Sequence, residues 1–214
     1  MDFFIQDCKG FFIDPKGTFK RMATYDSMTI PGIILFICGM ILGVKRYLMG
    51  LKTLASTLPK DLTPYSWGMK DADAVLAVLT PFAVLACWFI CSFIAHFSAE
   101  RLGALRGELQ EVLMASGYLS YPLLAYLVIT FPLFYLGDVM KVPLLGILNG
   151  LLGLVFAAWM FFLMCQLLES LCEVPMSHAA IAVAITLFAV FLVYYPIDLI
   201  LKHFLASFFG GKYV

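Results

Sequence analysis

Five runs of predominantly apolar residues, at about 29–50, 74–98, 117–137, 144–168 and 179–197, occupy most of the chain. Each is close to the ~20 residues an α-helix needs to cross the hydrocarbon of a bilayer. Lipid tails accept apolar side chains all round a helix, whereas every backbone polar group there must be satisfied inside the chain. The expected fold is therefore all-α: a polytopic membrane protein built as a bundle of five transmembrane helices. Composition argues against a soluble alternative, because 63% of the residues are hydrophobic and only 13% are charged. A soluble domain is about half apolar and about a quarter charged, so this chain lacks the polar surface to cover itself in water. Five spans with short connections use up its 214 residues and leave no room for a separate soluble domain.

The charged residues balance, 14 basic against 14 acidic, and no concentrated basic face suggests nucleic acid as a partner. Six cysteines are present, most of them in or beside apolar runs, where cysteine acts as a small hydrophobe. Cys87 and Cys91 share a helix face, but no second cluster completes tetrahedral metal spacing, so no cofactor or metal is expected. The start Met1-Asp2-Phe3-Phe4 lacks the basic flank and small-residue cleavage site of a secretory signal peptide, and neither terminus carries a lipidation box. Insertion is expected to depend on the spans themselves.

Residues 1–28 are too charged to span and mix Phe3, Phe4, Phe11, Phe12 and Phe19 with lysine and arginine. This pattern suits an interfacial, amphipathic N-terminal segment. Pro15 is placed to open a short helix running toward Tyr25. The transmembrane unit then covers 29–209, followed by a tail at 210–214. A polar loop is expected over 51–72 and an amphipathic helical link over 99–116. Pro122 and Pro132 should free carbonyls and bend the third span. Asp138 and Lys141 stand in the tight turn before the fourth span, and Asp198 and Lys202 follow the fifth, ahead of an apolar stretch through Phe209. Aromatic residues at both chain ends are expected to face lipid. Lysine and arginine divide almost evenly between the two sides, so the positive-inside rule leaves the orientation open.

Three stretches, taken in order, resemble the Yip domain family, five-span membrane proteins related to the Rab-interacting Yip proteins. The first is Asp14-Pro15-Lys16-Gly17-Thr18-Phe19, similar to the family's proline-then-phenylalanine segment, with Pro15 and Phe19 as its motif residues. The second is Gly117-Tyr118-Leu119-Ser120-Tyr121-Pro122, resembling the Gly-Tyr-x-x-x-Pro opening of span three through Gly117, Tyr118 and Pro122. The third is Tyr195-Pro196, followed by Leu199, Phe204 and Phe208. A glycine pair often found before span three is replaced by Gly103 and Gly107, and the long cytosolic N-terminal region of eukaryotic members is absent. The resemblance therefore implies a prokaryotic member in the cytoplasmic membrane, multi-pass, with a cytoplasmic N-terminus.

Ionisable or amide groups within spans are the default functional candidates. Asp198 and Lys202 stand four apart, acid first, the favourable order for a helical ion pair. His96 and Glu100 share that spacing, with an interfacial hydrogen-bonded pair as the plain reading and a metal or proton site as the sharper one. Asn149 and Gln166 are expected to hydrogen-bond to a neighbouring helix, or else to line a pore. Gly39 with Gly43, and Gly146 with Gly150, form two GxxxG steps that allow close helix approach, within the bundle or in a homo-oligomer. Ala95, Ala99, Gly103 and Gly107 extend the same repeat along the helix leaving span two. No HExxH, G-x-S-x-G or P-loop signature points to an enzyme. The leading expectation is a non-enzymatic protein that organises membrane lipids or binds membrane-protein partners. The alternative is a small-solute or ion transporter or channel subunit working as an oligomer.

Overall fold

A computed structural model describes residues 9–25, 27–57, 64–140 and 142–210. Residues 1–8 of the N-terminal segment, Lys141 and the tail from 211 lie outside the described residues, as does the side chain of Asp138. The chain is all-α, and no strand occurs among the described residues. Five segments are long and apolar enough to cross a membrane: Thr29–Leu51, Asp71–Arg101, Leu109–Gly137, Pro143–Cys172 and Met176–Phe209.

Helix α1 spans Pro15–Ala23. Pro15 sits in the first turn, where its missing N–H would have had no helical partner, and the Asp14 carboxylate accepts from the Gly17 amide at 3.0 Å. This helix docks on the bundle through one face. Phe19 and Met22 are fully buried, Phe11 packs edge-on to Phe19 at 5.4 Å, and Lys16 reaches Glu169 at 2.6 Å. Of the N-terminal aromatics expected to face lipid, Phe12 does point outward, stacked on Trp159, whereas Phe11 and Phe19 are buried.

Helix α2 runs Thr29–Thr57 and α3 runs Pro64–Arg101, so the loop expected over 51–72 is mostly helix. At 1.5 Å per residue these helices are ~43 and ~57 Å long, well beyond ~30 Å of hydrocarbon. Their length exceeds a single crossing, so helical hydrogen bonding continues beyond the apolar run. The expected helical link over 99–116 is also corrected. The helix stops at Arg101, because Gly103 and Gly107 take φ of +92° and +96°, a left-handed backbone closed to a right-handed helix. The chain re-enters helix at α4, Leu109–Gly117, where the Glu108 amide donates to the Glu111 carboxylate at 3.2 Å.

Helix α5, Ser120–Phe134, continues the third span after a short turn. Pro122 falls in its first turn and breaks no hydrogen bond there, so the expected bend at Pro122 becomes a helix start. Pro132 lies near the other end, and the span finishes in a π-turn at Tyr135–Val139. Helix α6, Pro143–Cys172, returns across the bundle. Helix α7, Met176–Gly210, is continuous through Pro196, so the fifth span, expected to end near 197, continues as helix.

Helix α3 packs along both α7 and α2, while α1 lies against α6 and α4. The buried core lies toward the side where α1 docks, the near side, and joins Phe19 and Met22 to Val112, Ala115, Leu163, Leu167 and Val183. Elsewhere the surface is apolar. Leu144, Leu154, Phe188 and Phe191 are more than half exposed, as expected of side chains that meet acyl tails.

Candidate functional site

Charged side chains gather at the far side, where α2, α3 and α7 approach each other. Arg46 donates to both oxygens of Asp198, at 2.6 and 3.1 Å, and Lys202 reaches the buried Asp73 at 2.9 Å. The expected pair between Asp198 and Lys202 is therefore replaced by two pairs that cross helix boundaries. The reason is geometric: the planar guanidinium fork of Arg46 meets the Asp198 carboxylate with two parallel bonds, which the point-like ammonium of Lys202 cannot offer. Gly50 makes room for the second pair, since a Cβ there would fall on the Asp73 carboxylate. Between these groups lies a cleft of about 300 Å³ lined by Lys45, Arg46, Asp73 and Lys202 together with Leu42 and Met49. The Lys45 ammonium sits 4.9 Å from the centroid of the Phe134 ring.

The two GxxxG steps have different surroundings. A Cβ on Gly39 would stand 2.5 Å from the Cα of Pro81, and one on Gly43 would meet the carbonyl oxygen of Ala77. Here α2 and α3 touch backbone to backbone. In the other step, Gly146 faces Gly137 of the π-turn, while Gly150 has open space around it. Of the repeat at the end of span two, Ala95 and Ala99 are buried, Gly103 is open, and Gly107 abuts Leu171 and Cys172.

The remaining candidates are dispersed. His96 Nε2 lies 3.3 Å from Glu100, and its Nδ1 is buried without a partner. Gln166 donates to the Met176 sulfur at 3.8 Å, a weak contact next to the turn that joins α6 and α7. Asn149 makes no bond through its buried oxygen, so the interhelical hydrogen bond expected of it does not form there. Among the described residues, no three His, Cys, Asp or Glu side chains gather where a metal ion could be held. One buried polar network escaped the reading of the sequence: Trp88 Nε1 donates to the Ser116 hydroxyl at 3.1 Å, and Ser116 and Ser92 hydroxyls lie 2.7 Å apart. Small hydroxyls at single positions carry no periodic signal that would have shown it.

The motif stretches have structural surroundings of their own. A Cβ on Gly117 would be met by Trp88 and Pro31, and Tyr118 lies edge-on to both Tyr25 and Tyr121 at 5.4 Å. Tyr195 is exposed on α7 and stacks on Phe191, with Pro196 beside it in the helix. Tyr121 and Pro122 belong to a groove of about 510 Å³ between α5 and α6, walled by Phe11, Phe12, Phe156 and Trp159. Neither this groove nor the charged cleft is lined by His96, Asn149, Gln166 or Asp198.

Compared with known families, residues 9–196 match the family model described as the Yip1 domain. No curated protein and no solved structure matches the chain.

Proposed function

The chain belongs to the Yip1 domain family and is a multi-pass membrane protein, and from that premise we propose that it works by binding within the membrane, without catalysing a reaction. It organises the bilayer or holds other membrane proteins against its spans. The observation that carries this reading is the groove between α5 and α6, about 510 Å³ in volume and lined almost wholly by aromatic and aliphatic side chains. Its rim includes Phe12, Ile129 and Val155, all exposed. Water gains little in such a place, whereas an acyl chain or a partner helix fills it with dispersion contacts. A transport path would place His96, Asn149, Gln166 or Asp198 along one cavity, and neither the groove nor the charged cleft is lined by any of them. The near side, with α1, is taken as cytoplasmic.

The test is photo-crosslinking in native membranes from a side chain introduced at Val155, compared with one at the equally outward Leu187 on α7. A reproducible lipid or protein adduct specific to Val155 is expected. Identical adduct patterns from both positions would remove the groove as a binding surface.

A further inference from the structure

We propose that the charged cleft between α2, α3 and α7 is a binding site for a phosphate group, with Lys45 as its free cation. The cleft is lined by three cations, Lys45, Arg46 and Lys202, and by one carboxylate, Asp73. Asp73 is engaged by Lys202, and Asp198, outside the lining, is engaged by Arg46. Among the described residues Lys45 has no carboxylate at ion-pair distance; its ammonium rests on the face of Phe134. Among the described residues that line the cleft and the partners they pair with, three cations meet two carboxylates, one positive charge in excess.

Hydrogen-bonding capacity points the same way. A guanidinium carries five N–H donors and an ammonium three. Arg46 uses two on Asp198 and Lys202 one on Asp73. The surplus donors, together with those of Lys45, ask for an acceptor with several oxygens, and a phosphate offers that at charge-assisted strength. The absence of a side chain at Gly50 keeps the cleft open beside Asp73.

Depth in the bilayer supports the same ligand. Lys45 lies sixteen residues after Thr29, the start of α2, so it stands ~24 Å along the axis at 1.5 Å per residue. With ~30 Å of hydrocarbon, that is within side-chain reach of the far headgroup layer. An unpaired lysine at such a depth is costly unless its head meets water or an anion. Two sources share the chemistry: the phosphate of an anionic lipid headgroup, and a soluble phosphate group arriving from the far-side water. The site stands independently of the partner groove proposed above, since the two share no lining residue.

The full-length protein is reconstituted in nanodiscs holding equal phosphatidylglycerol and phosphatidylcholine, and retained lipids are counted by native mass spectrometry. Lys45→Gln keeps the stem and removes the charge. Wild type is expected to retain phosphatidylglycerol preferentially, with the preference falling about fivefold in Lys45→Gln, the factor one cation contributes beside an anionic surface. A parallel arm follows the ³¹P linewidth of millimolar inorganic phosphate added to protein in a zwitterionic detergent. Preference that survives added phosphate assigns the site to a headgroup. Broadening that needs Lys45, with the lipid preference displaced, assigns it to a soluble phosphate group. Equal retention of both lipids by wild type together with an unbroadened phosphate signal overturns the proposal, and that comparison requires no variant to fold. A full lipid preference in a folded Lys45→Gln overturns it as well.

Discussion

Replacing Gly39 and Gly150 by alanine, one at a time, should move stability in opposite directions although both belong to GxxxG steps. In a helix interior alanine is favoured over glycine by about 1 kcal/mol, so both variants start with a gain of that order. At Gly150 nothing stands within 4 Å of the added methyl, and the gain should survive. At Gly39 the methyl would lie 2.5 Å from the Cα of Pro81. Carbon atoms prefer about 3.5–4.0 Å, so α2 and α3 must part by ~1 Å at this point. The obstacle is backbone, which cannot swing aside as a side chain end would. A gap of that size forfeits a quarter to a half of the dispersion energy along the contact, and overpacking of this kind costs about 1–3 kcal/mol. The expected net result is a loss of up to about 2 kcal/mol for Gly39→Ala against a gain of up to about 1 kcal/mol for Gly150→Ala. Equilibrium unfolding by denaturing detergent in mixed micelles, followed through tryptophan fluorescence, resolves a difference of that size. Equal shifts of the same sign would refute the claim that the first step is a backbone contact and the second an open face. A destabilised Gly150→Ala that also loses self-association would transfer the second step to a homo-oligomer interface.

A double-mutant cycle on Arg46→Gln and Asp198→Asn should return a coupling of about 1–2 kcal/mol, between the values for exposed and fully buried pairs, because both groups are partly solvated. The same cycle on Asp198 and Lys202 should give almost none, and a larger value there would restore the local pair in place of the crossed ones. Ser116→Ala removes the acceptor of Trp88 Nε1 and should cost about 1–3 kcal/mol, with a shift in tryptophan emission that Ser207→Ala, on the exposed end of α7, does not produce.

The spans and their order were legible because the bilayer imposes one simple rule, a long apolar run for each crossing, and the chain obeys it five times. Helix limits were not, since a helix that leaves the hydrocarbon keeps its hydrogen bonds while its composition changes. Thus the expected polar loop over 51–72 and the apolar stretch after 197 proved to be extensions of helices. The small-residue repeat through Ala95 and Ala99 suggested a helix continuing past Gly103, because spacing carries no information about the sign of φ. Asp198 and Lys202 were legible as polar groups near a span end, yet their spacing favoured each other, and the partners Arg46 and Asp73 lie on helices more than a hundred residues away. Asp73 falls between the loop expected over 51–72 and the span expected from 74, so its burial had no signature. The two glycine steps read alike because what distinguishes them is the element standing opposite.

The contact between Lys16 and Glu169 joins residues 153 apart, and it belongs to the docking of α1 on α6. A ribosome adding ~5–20 residues per second would take ~8–30 s to travel that distance. Throughout that interval Phe19 and Met22, completely covered in the finished protein, lack the part of their cover that α6 supplies, although α4 is made earlier. The docking of α1 is therefore completed only after the fourth span has been made. The segment at the near side is thus made long before the contact that fixes it, and α1 closes against a span that follows it by most of the chain.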